Sequence, residues 1–343
     1  MSDAPIVIVP YRSFGTPDTL FVKGRVLHDK PVSTAEAERS AWSNLRDALR
    51  RIDSDEVPGA RVGIHFDDQE WETVADSEGY FTHELPLAAP VAKTDAWHAV
   101  HLHLLEPALG QPQPFAEAQV LVPPPTARYG VISDIDDTIL ETHATSLLRS
   151  ALVTLLENAA TRTPFPGVAA LYQALQAGAN GNGRNPIFYV SSSPWNLYDF
   201  LVEFMEINGI PAGPIFLRDY GLSTITSALS HQVKLEPMRW VLDTYPDLSF
   251  VLMGDSGQRD PELYSQLLQA YPDRIKAIYI RDVSGDKRDA TVDALADEAA
   301  VLGVPMIRAA DSAVMAASAA ELGLVTPAAI DAVRSASEEQ PAP

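Results

Sequence analysis

The sequence contains no cysteine, and that absence excludes disulfide bonds, thiolate metal sites and cysteine nucleophiles together. Nowhere do about eighteen apolar residues follow one another, the length at which a membrane-crossing helix begins to be possible. Met1 to Pro10 lacks the basic stretch followed by a long apolar run that makes a secretory signal. The expectation is a cytoplasmic protein with no transmembrane segment, peripheral to a membrane if it meets one. Positive charge is also scarce. Lys+Arg number 25 against Asp+Glu 46, a formal net charge of -21, so the summed field repels phosphate backbones and anionic surfaces, and nucleic acid is excluded as a partner. What the chain does have is size and apolar content: 343 residues, 46% hydrophobic, enough for two domains with a sizeable core.

From Ile6 to about Pro123 the text is strand-like, with short runs such as T-L-F-V-K-G-R-V-L, R-V-G-I-H-F and W-H-A-V-H-L-H-L-L punctuated by Gly, Pro and Asp. This predicts an antiparallel β-sandwich over residues 1–125. Trp42, Leu45, Leu49 and Ile52 recur at helical spacing, predicting an amphipathic helix inserted between Thr34 and Ile52. His98, His101 and His103 lie in one apolar strand, and the last two share a face; no third ligand accompanies them at a telling spacing, so they read as polar strand positions. Pro123, Pro124 and Pro125 form a stiff spacer. Beyond it, over 126–325, apolar strands alternate with helices, the pattern of a Rossmann-like parallel sheet covered on both faces. Strands are predicted at Tyr129–Ser133, Ile187–Ser191, Pro214–Leu217, Ser249–Gly254, Ile275–Ile280 and Pro305–Arg308. Helices are predicted at Ser146–Ala159, Gly167–Gln176, Trp195–Asn208, Leu235–Tyr245, Pro261–Ala270, Val292–Leu302 and Ser312–Leu322. Residues 326–343 read as a C-terminal helix and a charged tail, disordered from Ser337.

Ligand sites in such sheets lie outside the carboxyl ends of the strands, and three of those ends are conspicuously polar. The first is V-I-S-D-I-D-D-T at Val131 to Thr138, where an apolar run stops in clustered aspartates. Asp134 and Asp136 would both reach the mouth of the strand, and paired carboxylates are suited to Mg2+, which takes oxygen ligands. A carboxylate beside the cation stays charged and can attack phosphorus, while a neighbour off it can hold a proton, a division of labour for covalent phosphoryl transfer. The second is Y-V-S-S-S-P-W at Tyr189 to Trp195, hydroxyls leading into a helix amino terminus, which suits a phosphate. The third is G-D-S-G-Q-R-D at Gly254 to Asp260, two further carboxylates. Lys234, the only lysine between Lys93 and Lys276, opens a predicted helix between the second and third, where it reads as a phosphate-side cation.

This order of motifs resembles the haloacid dehalogenase superfamily of phosphatases, with a minimal cap. Y-V-S-S-S-P-W-N-L-Y, F-L-R-D-Y-G, H-Q-V-K-L-E-P-M, G-D-S-G-Q-R-D-P-E-L-Y and Y-I-R-D-V narrow the resemblance to the catalytic domain of the actin-patch type phosphatidate phosphatases. V-A-D-S-E-G-Y-F at Val74 to Phe81 resembles a hairpin of transthyretin-like sandwich modules. The resemblance implies Asp134 as a nucleophile forming an aspartyl-phosphate. It implies Asp136 as the acid and base whose carbonyl also helps bind Mg2+, and Thr138 as a brace of that loop. Ser191, or Ser192 in the alternative register, would bond the transferring phosphoryl group. Lys234 would neutralise developing charge, Asp255 would ligate Mg2+ directly, and Asp260 directly or through water; Asp137 would be structural. The implied reaction is Mg-dependent hydrolysis of a phosphomonoester, phosphatidate at a membrane surface giving diacylglycerol. The alternatives are a soluble phosphomonoester, favoured by the lack of a basic patch, and a non-catalytic scaffold. Nothing in the sequence reads on oligomeric state.

Overall fold

The computed structural model describes residues 5–28, 56–92, 95–107, 113–140, 164–218, 230–285 and 288–339. The helices predicted at Thr34–Ile52 and Ser146–Ala159 lie outside these residues. The chain divides into two compact units, one made of Met1–Pro124 with Trp195–Glu203 and Gly213–Ile215, the other of the remainder.

In the first unit, alternation of apolar and polar residues makes strands β1 (Ile6–Tyr11), β2 (Ser13–Thr16), β3 (Thr19–His28), β4 (Arg61–Phe66), β5 (Gln69–Val74), β6 (Tyr80–Pro86), β7 (Trp97–Glu106) and β8 (Phe115–Leu121). They pair in the order β1-β3-β2-β8-β7-β4-β5, with β6 on β3. The pairings are antiparallel except that of β2 with β8, which joins all eight into one hydrogen-bonded sheet. In β7 the alternation is plain: Val100, Leu102 and Leu104 are buried, while His101 and His103 are half-buried on the other face. These residues join Val22, Val26, Val62, Ile64 and Val120 in one core, each fully buried aliphatic side chain being worth roughly 1.5–3 kcal/mol. The largely antiparallel strand pairing expected from the sequence is there. The segment Val74–Phe81 is not the hairpin its text suggests. Asp76 closes a tight turn by accepting the amides of Glu78 and Tyr80, but the flanking strands β5 and β6 pair with β4 and β3.

The second unit alternates as predicted, with strands β9 (Gly130–Ser133), β10 (Ile187–Pro194), β11 (Ile215–Arg218), β12 (Phe250–Asp255), β13 (Ile275–Arg281) and β14 (Met306–Ala309). The helices are α1 (Val168–Ala177), α2 (Tyr198–Ile207), whose residues up to Glu203 are grouped with the first unit, α3 (Ser230–Thr244), α4 (Asp260–Ala270), α5 (Asp289–Val301), α6 (Ser312–Glu321) and α7 (Ala328–Glu339). The strand order is β11-β10-β9-β12-β13-β14, and the pairings among β10, β9, β12, β13 and β14 are parallel. Ile187 to Val190 are all buried, the continuous apolar run of a strand covered on both faces. From β9 the chain builds outward through β10 and β11, then returns to β9's other side to lay down β12. The order reverses there, and a crevice opens outside the carboxyl ends of the strands at such a switch.

Among the boundaries that differ from expectation, three bear on the site or on the end of the chain described. Strand β10 runs on to Pro194, followed by a 3-10 turn at Trp195–Leu197 before α2 begins. Helix α3 starts at Ser230, so Lys234 does not open it; Pro237, best tolerated in a first turn, sits inside the helix instead. Helix α7 takes in Ser337, Glu338 and Glu339, where charged composition predicts disorder. Val333 is buried and the Ser337 hydroxyl donates to its carbonyl at 2.9 Å, which carries the helix one turn further.

Candidate active site

Asp134 is the first residue beyond β9, and its amide still donates to the Met253 carbonyl of β12 at 2.8 Å. That bond fixes where its buried carboxylate starts from. The chain then folds back on itself. The Ile139 and Leu140 amides both reach the Ile135 carbonyl at 2.9 and 3.2 Å, and the Asp137 amide reaches the Leu140 carbonyl at 2.8 Å. The turn requires Asp137 to take φ 56, the left-handed region that Asp tolerates better than most side chains. Thr138 is buried, its Oγ1 has no hydrogen-bond partner, and its carbonyl accepts from Arg281 Nε at 3.0 Å.

Asp136 sits in this loop and points toward the end of β10. Because strand side chains alternate, Ser191 and Ser193 share one face and Ser192 belongs to the other. Ser191 Oγ donates to Asp136 Oδ2 at 2.6 Å and Ser193 Oγ to the same oxygen at 3.1 Å. The Ser193 amide donates to Ser191 Oγ at 2.9 Å, orienting that hydroxyl. Burial raises the Asp136 pKa above the ordinary carboxylate range, while the two serines and Lys234 restrain the rise.

Lys234 Nζ lies 2.9 Å from Asp134 Oδ1 and 2.9 Å from Asp260 Oδ1. Burial works against the ammonium charge, but Asp134 and Asp260 outweigh it and hold the pKa above that of an ordinary lysine. Asp260, the first residue of α4, turns its Oδ2 to the Asp255 amide at 3.2 Å. This close packing needs a glycine before Asp255, since a Cβ on Gly254 would come within 2.6 Å of Asp260 Cβ. Asp255 ends β12; its Oδ1 accepts the Gln258 amide at 2.8 Å, and its buried Oδ2 has no hydrogen-bond partner. The Gln258 carboxamide reaches Asp134 Oδ2 at 3.4 Å, the Asp136 carbonyl at 3.2 Å and Lys234 Nζ at 3.3 Å.

Asp134, Asp255 and Asp260 each offer an oxygen within 4.8 Å of the others. Burial, Asp260 and Asp255 together raise the Asp134 pKa well above the carboxylate range against the pull of Lys234. Burial and Asp260 push Asp255 up to about 8. Three buried carboxylates facing one ammonium leave an excess of negative charge, which is costly without a further cation. An all-oxygen donor set with an orphaned carboxylate oxygen, on Asp255, fits a hard divalent ion. The histidines of β7 belong to the first unit: His101 faces His65 of β4 with ring centroids 6.1 Å apart, and its Nδ1 is 4.0 Å from Glu117.

Three residues of this site carry no signal of their own in the sequence. Ser193 becomes legible only if β10 is extended past Ser191 and period two applied. Gln258 stands inside the G-D-S-G-Q-R-D motif as an apparent spacer. Arg281, buried at the end of β13, binds Thr138 O, Ala310 O at 2.8 Å and Ser312 Oγ at 3.0 Å; a buried arginine on neutral oxygens cannot be read from neighbours in the text.

Residues 129–282 match the family described as "Phosphatidate phosphatase APP1, catalytic domain". The phosphatidate phosphatase APP1 of Saccharomyces cerevisiae is 36% identical over 163 residues, 47% of this chain and 27% of that protein. An uncharacterized protein of Schizosaccharomyces pombe is 29% identical over 159 residues, 46% of this chain and 25% of its own. The chain thus spans about a quarter of the length of these curated relatives. Among solved structures, a carbohydrate acetylesterase from Xanthomonas citri aligns over 79% of this chain and 68% of its own at 12% identity, with a TM-score of 0.28; a likeness that low carries no inference.

Proposed function

We propose, from the match of residues 129–282 to the APP1 catalytic domain, that this chain is a phosphatase that hydrolyses phosphatidate to diacylglycerol and inorganic phosphate. The observation that carries the mechanism is the unlike treatment of two carboxylates separated by one residue. Asp134 is ion-paired to Lys234 within the acidic cluster, and Asp136 is hydrogen-bonded to two serine hydroxyls outside it. Such a pair divides into a nucleophile and a proton carrier.

Asp134 attacks phosphorus through a carboxylate oxygen. The bond from phosphorus to the glycerol oxygen breaks, its electrons go to that oxygen, and Asp136 supplies the proton that completes the alcohol. In the second half Asp136 takes a proton from water, the water oxygen attacks the aspartyl-phosphate, and Asp134 leaves as carboxylate with release of phosphate. Lys234 balances charge gathering on the transferring group, and Ser191 would turn its hydroxyl from Asp136 to bond the phosphoryl oxygens, with Ser192 on the far face of the strand. Asp134, Asp255 and the Asp136 carbonyl would hold Mg2+, which when bound neutralises phosphoryl oxygens. Asp260, whose oxygens meet Lys234 and the Asp255 amide, would join them directly or through water. Thr138 braces the loop through its backbone. The haloacid dehalogenase assignment, the Mg2+ dependence and the aspartyl-phosphate belong to this proposal.

No helix among the described residues is long and apolar enough to cross a membrane, so on this reading the enzyme works on lipid presented at a membrane surface. Phosphate release from short-chain phosphatidate in mixed micelles, set beside soluble phosphomonoesters with and without Mg2+, tests the proposal. A preference for phosphatidate that falls at least about a thousandfold in Asp134→Asn supports it. Release confined to soluble esters would keep the site chemistry and discard the lipid, and no release from any ester would leave a scaffold.

A further inference from the structure

Gln258 touches more of the proposed machinery than any residue chosen from the sequence. Its side-chain Nε2 faces Asp134 Oδ2 and the Asp136 carbonyl oxygen, at 3.4 and 3.2 Å, and its Oε1 faces Lys234 Nζ at 3.3 Å. The two ends of a carboxamide have the same shape and differ only in hydrogen bonding, so neighbours must decide between them. Here they do. An ammonium has donors alone and requires the oxygen; a carboxylate and a carbonyl have lone pairs alone and require the nitrogen. Turned over, the amide would set donor against donor and acceptor against acceptor.

The oxygens that this nitrogen serves are two of those assigned above to Mg2+. A lone pair directed at an amide hydrogen is not at that moment directed at a cation. The residue is also built to withdraw. Its backbone is fixed at both ends, the amide on Asp255 Oδ1 at 2.8 Å and the carbonyl accepting from the Arg288 guanidinium, but its side chain is half-buried, whereas Asp134, Lys234, Asp255 and Asp260 are buried. The carboxamide can leave toward solvent without unpacking the core. Resting on the proposed Mg2+ site, we infer that Gln258 competes with the divalent cation for Asp134 and the Asp136 carbonyl, and so sets the cation concentration at which the site fills.

The test is calorimetric titration of Mg2+ into the full chain without substrate, for the wild type, Gln258→Ala and the near-isosteric Gln258→Met, with Asp255→Asn marking the site. Both Gln258 variants bind Mg2+ about fivefold tighter than wild type, the worth of about one net hydrogen bond. In thermal melts they unfold earlier than wild type without Mg2+, and the gap closes at saturating Mg2+. Equal or weaker binding by the folded variants overturns the competition while leaving the cation site standing. A wild type that takes up no Mg2+, or heat that survives Asp255→Asn unchanged, overturns the site and the competition with it.

Discussion

Asp134 and Asp136 are separated by one residue and differ in everything around them. The hydroxyls of Ser191 and Ser193 donate to Asp136 Oδ2, and a donor bond favours the carboxylate, so each serine holds the Asp136 pKa below what burial alone would produce. If Asp136 protonates the leaving alcohol, turnover needs its acid form and falls as pH rises through its pKa. Removing a donor raises that pKa. Ser193→Ala is therefore expected to move the alkaline limb of the pH–rate profile upward by about one unit, since a hydrogen bond to a charged group is worth about 1.5 kcal/mol; a limb that stays put or moves down would contradict the assigned part. At this scale the sequence was readable where chemistry is written as a cluster. Asp134, Lys234, Asp255 and Asp260 come together in the structure, and the motif order pointed to all four. Ser193 and Gln258 were not readable, because what matters in them is direction: which face of a strand a hydroxyl takes, and which end of an amide a lysine selects.

The elements explain why loops as short as these hold still. Arg281, the last residue of β13, spends its guanidinium on Thr138 O in the nucleophile loop and on Ala310 O and Ser312 Oγ where β14 passes into α6. Ser312 Oγ in turn donates to Pro166 O at 2.8 Å, just before α1. Burial pushes the guanidinium pKa down to about 10, the cost of placing this charge inside. Its ring contact is Phe165, 4.4 Å from the guanidinium carbon. Arg281→Met keeps much of the length but leaves buried acceptors without donors, and is expected to lower unfolding free energy by about 3 kcal/mol. Urea denaturation measures it; a midpoint within error of wild type would show that the brace carries no load. The parallel sheet was legible because its central strands carry apolar runs, such as Ile187–Val190 and Phe250–Met253, in alternation with helical segments. Helix α3 starts at Ser230, five residues before the expected Leu235, and Pro237 sits inside it. The end of α7 was misjudged because composition describes charge and not the burial of Val333 beneath it.

The whole chain carries a formal net charge of -21, and phosphatidate is itself an anion. The long-range field therefore opposes approach to the surface on which the proposed substrate is displayed. Salt shortens that field from about 30 Å at 0.01 M to about 8 Å at 0.15 M, so co-sedimentation with phosphatidate-containing vesicles is expected to rise with NaCl over this range. A fall would mean that local basic groups, and not the net charge, govern docking. The family resemblance carried by the strand-end motifs is the same family whose catalytic domain matches residues 129–282. The first unit gave up its strands to sequence reading but not its task, since alternating apolar residues specify a core and nothing more.

The claim on which the account turns is that Asp134 carries the phosphoryl group between substrate and water. Acid quenching of the wild-type protein during turnover of phosphatidate, followed by peptide mapping for a hydroxylamine-sensitive phosphoryl group, addresses it directly. The modification is expected on the peptide containing Asp134 and is absent in Asp134→Asn. Phosphate released at full rate from a protein that stays unmodified, or a phosphoryl group found on any other residue, would contradict it.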